Sequence, residues 1–194
     1  MMVVNVLLYD SFEAMDAFVP VSILGKLPEH FYMNYLSVSG GVINSSQNVK
    51  VWTEPLEENA GGDILLIPGG KGAKRLILQE QDTQRLIKEA AGAAGTVMMA
   101  GSGSAVLAQT GELYHRTVAE FAGSDNWKRM FTAGIYWTRD CSWISDGKYY
   151  SCRSSADVSE MVLGMICDLV DVDDAKRAAE ALGLHWSEFD NAGR

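Results

Sequence analysis

Residues Thr96–Gly111 read TVMMAGSGSAVLAQTG, and the fold follows from how this stretch is parsed. Thr96 to Ala100 is a short apolar run of strand length, broken at Gly101-Ser102-Gly103. Ser104 to Gln109 follows at once with the Ala and Leu content of a helix. A buried strand that turns sharply into a helix exposes the turn residue at the strand's carboxyl end. There the helix's free N–H groups and positive dipole end favour an anion. This is the shape of a nucleophile elbow, whose apex sits in strained dihedrals. Here the apex is Gly101, which accepts those dihedrals and carries no nucleophile. The elbow is present without its usual chemistry.

The 194 residues are 47% hydrophobic and 21% charged, which excludes a disordered chain and fits one domain spanning 1–194. A net charge of -9 without a Lys/Arg cluster repels phosphate backbones and anionic membranes. The expectation is therefore no nucleic-acid partner and no membrane. Cys141, Cys152 and Cys167 are odd in number and lack C-x-x-C spacing, and no signal peptide or bilayer-length apolar run is present. That pattern fits a reducing, cytoplasmic setting. His30, His115 and His185 are scattered, so no metal site is expected, and no cofactor is implied.

Along the chain, strand-like and helix-like runs alternate. Val3 to Tyr9 is an apolar strand ending at Asp10. Asp10 with Glu13 reads as a capping box for a helix over Phe12 to Leu24, kinked or restarted at Pro20, with Phe12, Met15, Val19 and Ile23 on its apolar face. Asp16 lies one turn into that helix, and its local pattern fits a solvated carboxylate as well as a functional one.

Phe31 to Val38 is a second strand, followed by a short hairpin that returns over Val49 to Trp52. Asp63 to Ile67 is a buried strand closing on Pro68-Gly69-Gly70, where a glycine pair lets backbone N–H groups face a ligand, or simply makes a turn. A helix over Asp82 to Ala94 precedes the elbow. Short strands follow at Thr117 to Phe121, Tyr136 to Thr138, Trp143 to Ser145 and Tyr149 to Ser151, the last two around Asp146-Gly147. Helices over Ser155 to Val170 and Asp173 to Leu182 close the chain. The alternation predicts an α/β three-layer sandwich with a mainly parallel sheet.

Four segments together resemble the ThiJ/PfpI superfamily of class I glutamine amidotransferase-like domains, which includes isocyanide hydratase and the parkinsonism-associated deglycase. They are Leu7-Leu8-Tyr9-Asp10 with Asp16, Pro20 and Leu24; Asp63 to Gly70; the elbow from Gly101 to Ala108 with Gly111; and Asp146 to Ser151 leading to the helix of Glu160. The resemblance implies a flavodoxin-like sandwich, a homodimer, and an active site at the elbow built from a Cys, an acid of the first helix and often a His. Position by position, the acid matches Asp16, the Cys position matches Gly101, and the His position falls at Phe121 or, one residue earlier, at Glu120. An acid of the last long helix matches Glu160, while Gly69, Gly70 and Gly103 are retained.

A thiolate needs its sulfur at the apex, and glycine supplies none. The leading expectation is a protein without the family's Cys chemistry that keeps the pocket and binds a small polar metabolite, or acts as a sensor or partner subunit. Its binding residues would be Asp16, Gly69, Gly70, Gly101, Ser102, Gly103 and Phe121. The alternative is a hydratase-, glyoxalase- or amidase-like enzyme whose nucleophile has moved to Ser102 or Cys152, with Asp16 or Glu160 as acid or base. Against it, Ser102 suits a helix N-cap and Cys152 a small apolar core residue. A third reading is a vestigial pocket and an interaction module using exposed aromatics such as Trp137 and Trp143. Within the fold Asp16 would point into the elbow pocket, with a raised pKa or a bond to Ser102, a backbone N–H or a ligand.

Overall fold

The runs Val3–Leu8, Ile64–Ile67 and Thr96–Ala100 lack alternating polar positions, so each needs cover on both faces. The computed structural model, which describes residues 1–57, 59, 61–78, 81–123 and 134–186, places them side by side in the middle of one sheet. In chain order the first elements are β1 (Met2–Leu7), α1 (Ala14–Leu24), β2 (Phe31–Ser37), β3 (Gly41–Asn44) and β4 (Lys50–Pro55). Next come β5 (Ile64–Ile67), α2 (Ala73–Ile77), α3 (Gln81–Ala93), β6 (Thr96–Ala100) and α4 (Gly103–Gln109). The last are β7 (Thr117–Ala119), β8 (Tyr136–Thr138), β9 (Trp143–Asp146), β10 (Tyr149–Cys152), α5 (Val158–Leu169) and α6 (Val172–Ala181).

Eight strands form the order β3-β4-β2-β1-β5-β6-β10-β9, and β7 pairs with β8 apart from them. The pairs β3–β4 and β9–β10 are antiparallel and the other pairs of the sheet parallel. Val4 lies opposite Ile64 and Leu66 opposite Met98, so the ends of β1, β5 and β6 fall at one level. Helices cover this sheet in two groups, α1 with α5 and α6, and α2 and α3 with α4. The mainly parallel α/β sandwich read from the sequence is the observed architecture.

Several boundaries differ from the sequence reading for identifiable reasons. Helix α1 begins at Ala14, with Glu13 as its N-cap. Asp10 instead accepts the Asn44 N–H at 3.2 Å, which ties the end of β1 to the hairpin. Phe12 makes isolated bridges to Ser45 and to Gly70, so residues 11–13 cross as an extended tie and not as a helical turn. Pro20 is buried within a helix that runs on to Leu24 as one element. The buried face of α1 carries Asp16, Ala17, Pro20, Ile23 and Leu24, while Met15 is exposed. The five-residue α2 was too short to show a period in the sequence. Trp143 is buried and Trp137 half-buried; among the described residues the exposed Tyr and Trp side chains are Tyr32, Trp52, Tyr114 and Tyr136.

The elbow is held by close packing of α4 on the end of β5. A Cβ at Gly103 would meet the Ile67 carbonyl oxygen at 2.2 Å, so this position admits no side chain. Gly103→Ala must push α4 off the sheet and is expected to cost about 3 kcal/mol of stability. Urea unfolding of the variant measures this, and an unchanged midpoint would show that α4 is not held here.

Candidate functional site

The carboxyl ends of β1, β5, β6 and β10 converge on a cleft of 470 Å³. Its lining includes Glu13, Asp16, Gly70, Lys71, Gly101, Ser102, Phe121 and the 153–155 stretch after β10. Gly101 has φ of +49°, the left-handed region that disfavours a side chain. Space is not what excludes one: a Cβ there would meet only Asp16 Oδ2, at an ordinary 3.7 Å. The apex therefore opens on the carboxylate as it would in a thiol enzyme, minus the sulfur.

Asp16 is 3% exposed and reaches the elbow from the buried face of α1. Its Oδ2 accepts the Gly69 N–H at 3.0 Å. Its Oδ1 is buried without a hydrogen-bond partner of ordinary geometry. Burial raises the pKa first; the Ser155 hydroxyl and the Gly69 N–H lower it in part, and Glu13 adds a smaller rise. The net direction is up, so this acid keeps its proton above the ordinary carboxylate range. Beneath the same turn, Tyr9 donates to the Pro68 carbonyl at 2.6 Å. Burial, then the Asp16 charge, holds that phenol neutral.

The two glycine N–H groups do not form an open oxyanion hole. Gly69 N–H is spent on Asp16, and Gly70 N–H donates to Ser102 Oγ at 3.0 Å. Ser102 Oγ is in turn 3.3 Å from the Gly70 carbonyl, so its hydroxyl is engaged with Gly70 and not with Asp16. Ser102 occupies the N-cap position of α4 without a side-chain cap bond.

Cys152 is fully buried, and its Sγ donates to the Ser154 carbonyl at 3.6 Å. Burial pushes its thiol pKa far up, and the Asp16 charge pushes it further, which is the opposite of an activated thiol. Glu160 lies on the exposed side of α5, where Ser142 Oγ donates to it at 3.0 Å, and it does not line the cleft. Phe121 does line the cleft, its ring edge-on to Trp137 at 6.0 Å, while Glu120 accepts from Arg139 Nε at 2.5 Å.

The structure thus gathers Asp16, Gly70, Gly101, Ser102 and Phe121 around one cleft, with Gly69 bonding Asp16 behind it. The sequence reading missed Glu13, Lys71, Arg153 and Ser155. Glu13 was absorbed into a capping box, and the other three stand in loops with no period to betray their direction. Arg153 and Ser155 could be sought only as the residues that follow a strand neighbouring the elbow strand.

Two predictions follow from this geometry. A side chain at Gly101 costs roughly 1–2 kcal/mol for its dihedrals, yet has room. Gly101→Cys is therefore expected to fold with that loss, and peptide mass spectrometry should find iodoacetamide on residue 101 and not on Cys152 in the native protein. Labelling of Cys152 instead would place the wrong residue at the cleft. For Asp16, a pKa raised on folding stabilises the protein fully below the unfolded value, and this is lost as pH rises through the folded one. Asp16→Asn needs no proton, so it should exceed the wild type in urea midpoint near neutral pH and lose that advantage towards about pH 3. An advantage independent of pH would contradict a raised Asp16 pKa.

Comparison with known proteins agrees with this architecture. The model of the DJ-1/PfpI family matches residues 2–167. A cysteine-to-alanine mutant of a DJ-1 superfamily protein from Salmonella typhimurium superposes with a TM-score of 0.83 at 22% identity, covering 96% of this chain and 100% of the other. DJ-1beta of Drosophila melanogaster gives 0.83 at 16% identity, covering 95% and 99%. A ThiJ/PfpI family protein from Pseudomonas syringae gives 0.85 at 18%, covering 100% of this chain and 79% of that one. Identities this low show a shared fold alone. No curated protein matches the chain.

Proposed function

The chain belongs to the DJ-1/PfpI family, and from that premise we propose that its elbow cleft is a binding site for a small polar metabolite and not a seat of thiol catalysis. One observation carries the reading. Asp16 is buried beside an apex that has no side chain, with Oδ1 unpartnered and its pKa raised by burial. An unsatisfied buried carboxyl costs free energy that a ligand's acceptor would recover. A carbonyl or carboxylate oxygen above Gly101 would take the Asp16 proton as a hydrogen bond. Lys71 and Arg153 on the cleft lining favour an anionic group further out.

The relocated-nucleophile reading has less support. It requires a free hydroxyl or a lowered thiol pKa near Asp16, whereas Ser102 is engaged by Gly70 and Cys152 is buried and raised. The same proposal includes a homodimer. An apolar groove of 450 Å³ along Ala14, Met15, Phe18, Val19, Leu182 and Leu184 offers a face for it on the outside of α1.

The test is a thermal-shift and NMR screen of small keto acids, hydroxy acids and aldehydes, with methylglyoxal turnover assayed in parallel. A ligand that binds the wild type and loses roughly tenfold or more in Asp16→Ala, with no turnover, is the expected result. Methylglyoxal turnover abolished by Cys152→Ala or Ser102→Ala would overturn the proposal.

A further inference from the structure

A second cleft, of 270 Å³, lies where the chain leaves β1 and β2, bounded on the far side by α2. Open α/β sheets take ligands in crevices outside the carboxyl ends of their strands. This cleft shares no lining residue with the elbow. The stretch from Tyr9 to Glu13 gives Asp10 to one and Glu13 to the other, and is tied down by the Gly72 N–H on Ser11 O at 3.1 Å and the Glu13 N–H on Gly69 O at 2.8 Å.

Among the described residues that line it, the charged ones are Asp10 and Arg75. Asp10 is exposed, with Oδ1 held by the Asn44 N–H at 3.2 Å. Among the described residues, the Arg75 guanidinium has no ion pair or hydrogen bond, and so it does not pair with Asp10. Opposite charges that line one small cleft without neutralising each other suit a ligand that carries both. The wall is mixed: Val38 and Ile43, both half-buried, give it an aliphatic strip above the buried Leu8 and Leu76, and Tyr9, Ser37, Ser39 and Thr83 complete it.

We propose that this cleft is a second ligand site, one that takes a free α-amino acid with an aliphatic side chain. The carboxylate lies on the Arg75 guanidinium, whose planar fork matches it in two parallel hydrogen bonds. The ammonium, with three donors, lies on Asp10. The side chain packs on Val38 and Ile43, the half-buried aliphatic residues of the lining. The size agrees: the cleft falls just under the roughly 300 Å³ at which drug-sized pockets begin. A simple anion such as phosphate would meet Arg75 but also the like charge of Asp10.

Calorimetric titration of the full chain with L-leucine tests this, using isocaproate and isoamylamine as the two halves of the zwitterion. Leucine is expected to bind, each half to bind roughly tenfold or more weakly, and Arg75→Met and Asp10→Asn each to lose roughly tenfold or more. Asp16→Asn, at the other cleft, should leave leucine binding unchanged. Should either variant fold poorly, the comparison of leucine with its halves on the wild type still decides. No binding of leucine, isoleucine or valine, isocaproate binding as well as leucine, or affinity that survives Arg75→Met would each overturn the proposal.

Discussion

One hydrogen bond organises the functional end of this molecule: the Gly69 N–H on the carboxyl of Asp16. It joins the turn after β5 to the first helix across the mouth of the sheet. A buried acid is costly unless it is paired or neutral, and here burial raises its pKa more than the Ser155 hydroxyl and the Gly69 N–H lower it. Around it the glycines leave no room to rearrange. A Cβ on Gly69 would lie 2.7 Å from Asp16 Oδ2, and one on Gly103 would enter the Ile67 carbonyl. The backbone is thus built for close approach, whereas a Cβ at Gly101 would meet only Asp16 Oδ2 among the described residues. At the elbow the Ser102 hydroxyl is engaged by Gly70, while the buried Ser104 hydroxyl behind it has no hydrogen-bond partner among the described residues. Of the buried unpartnered side-chain groups among the described residues, Asp16 is the one whose residue lines the cleft.

That division explains why losing the apex side chain need not dismantle the site. Thiol chemistry at an elbow depends on the sulfur and on donors left free to stabilise charge. In this chain the sulfur is absent, and the two Pro-Gly-Gly donors are consumed by Asp16 and Ser102. The carboxyl, the cleft and the strained φ of the apex persist. The cleft thus keeps a buried acid of raised pKa, with Lys71 and Arg153 on its lining.

The sequence made the architecture legible because the apolar runs of β1, β5 and β6 are continuous, and because strand and helix alternate at lengths that only a parallel sandwich accommodates. β6 was read to the residue, since Gly101 stops it abruptly. The start of α1 was misread because Asp10 and Glu13 have capping-box spacing, while Asp10 is drawn away by the Asn44 N–H of a hairpin 34 residues on. At the site, Asp16, Gly101 and Phe121 were legible through the family pattern. The engagement of the Gly70 N–H by Ser102, and the burial that raises Cys152, were not. Both depend on which atoms face each other across loops, and no local period records that. Trp143 shows the same limit: its type fits a surface aromatic or a core one, and its burial, with the ring stacked on Tyr150 at 6.4 Å, decides.

Recognition at the elbow rests on an Asp16 of raised pKa lining the cleft, and the most direct measurement is a pH titration of its side-chain carboxyl by carbon NMR of selectively labelled protein. It predicts a pKa above the ordinary carboxylate range, rising further when an acceptor-bearing ligand occupies the cleft. An Asp16 that titrates at or below the ordinary range, unmoved by any ligand, would contradict it.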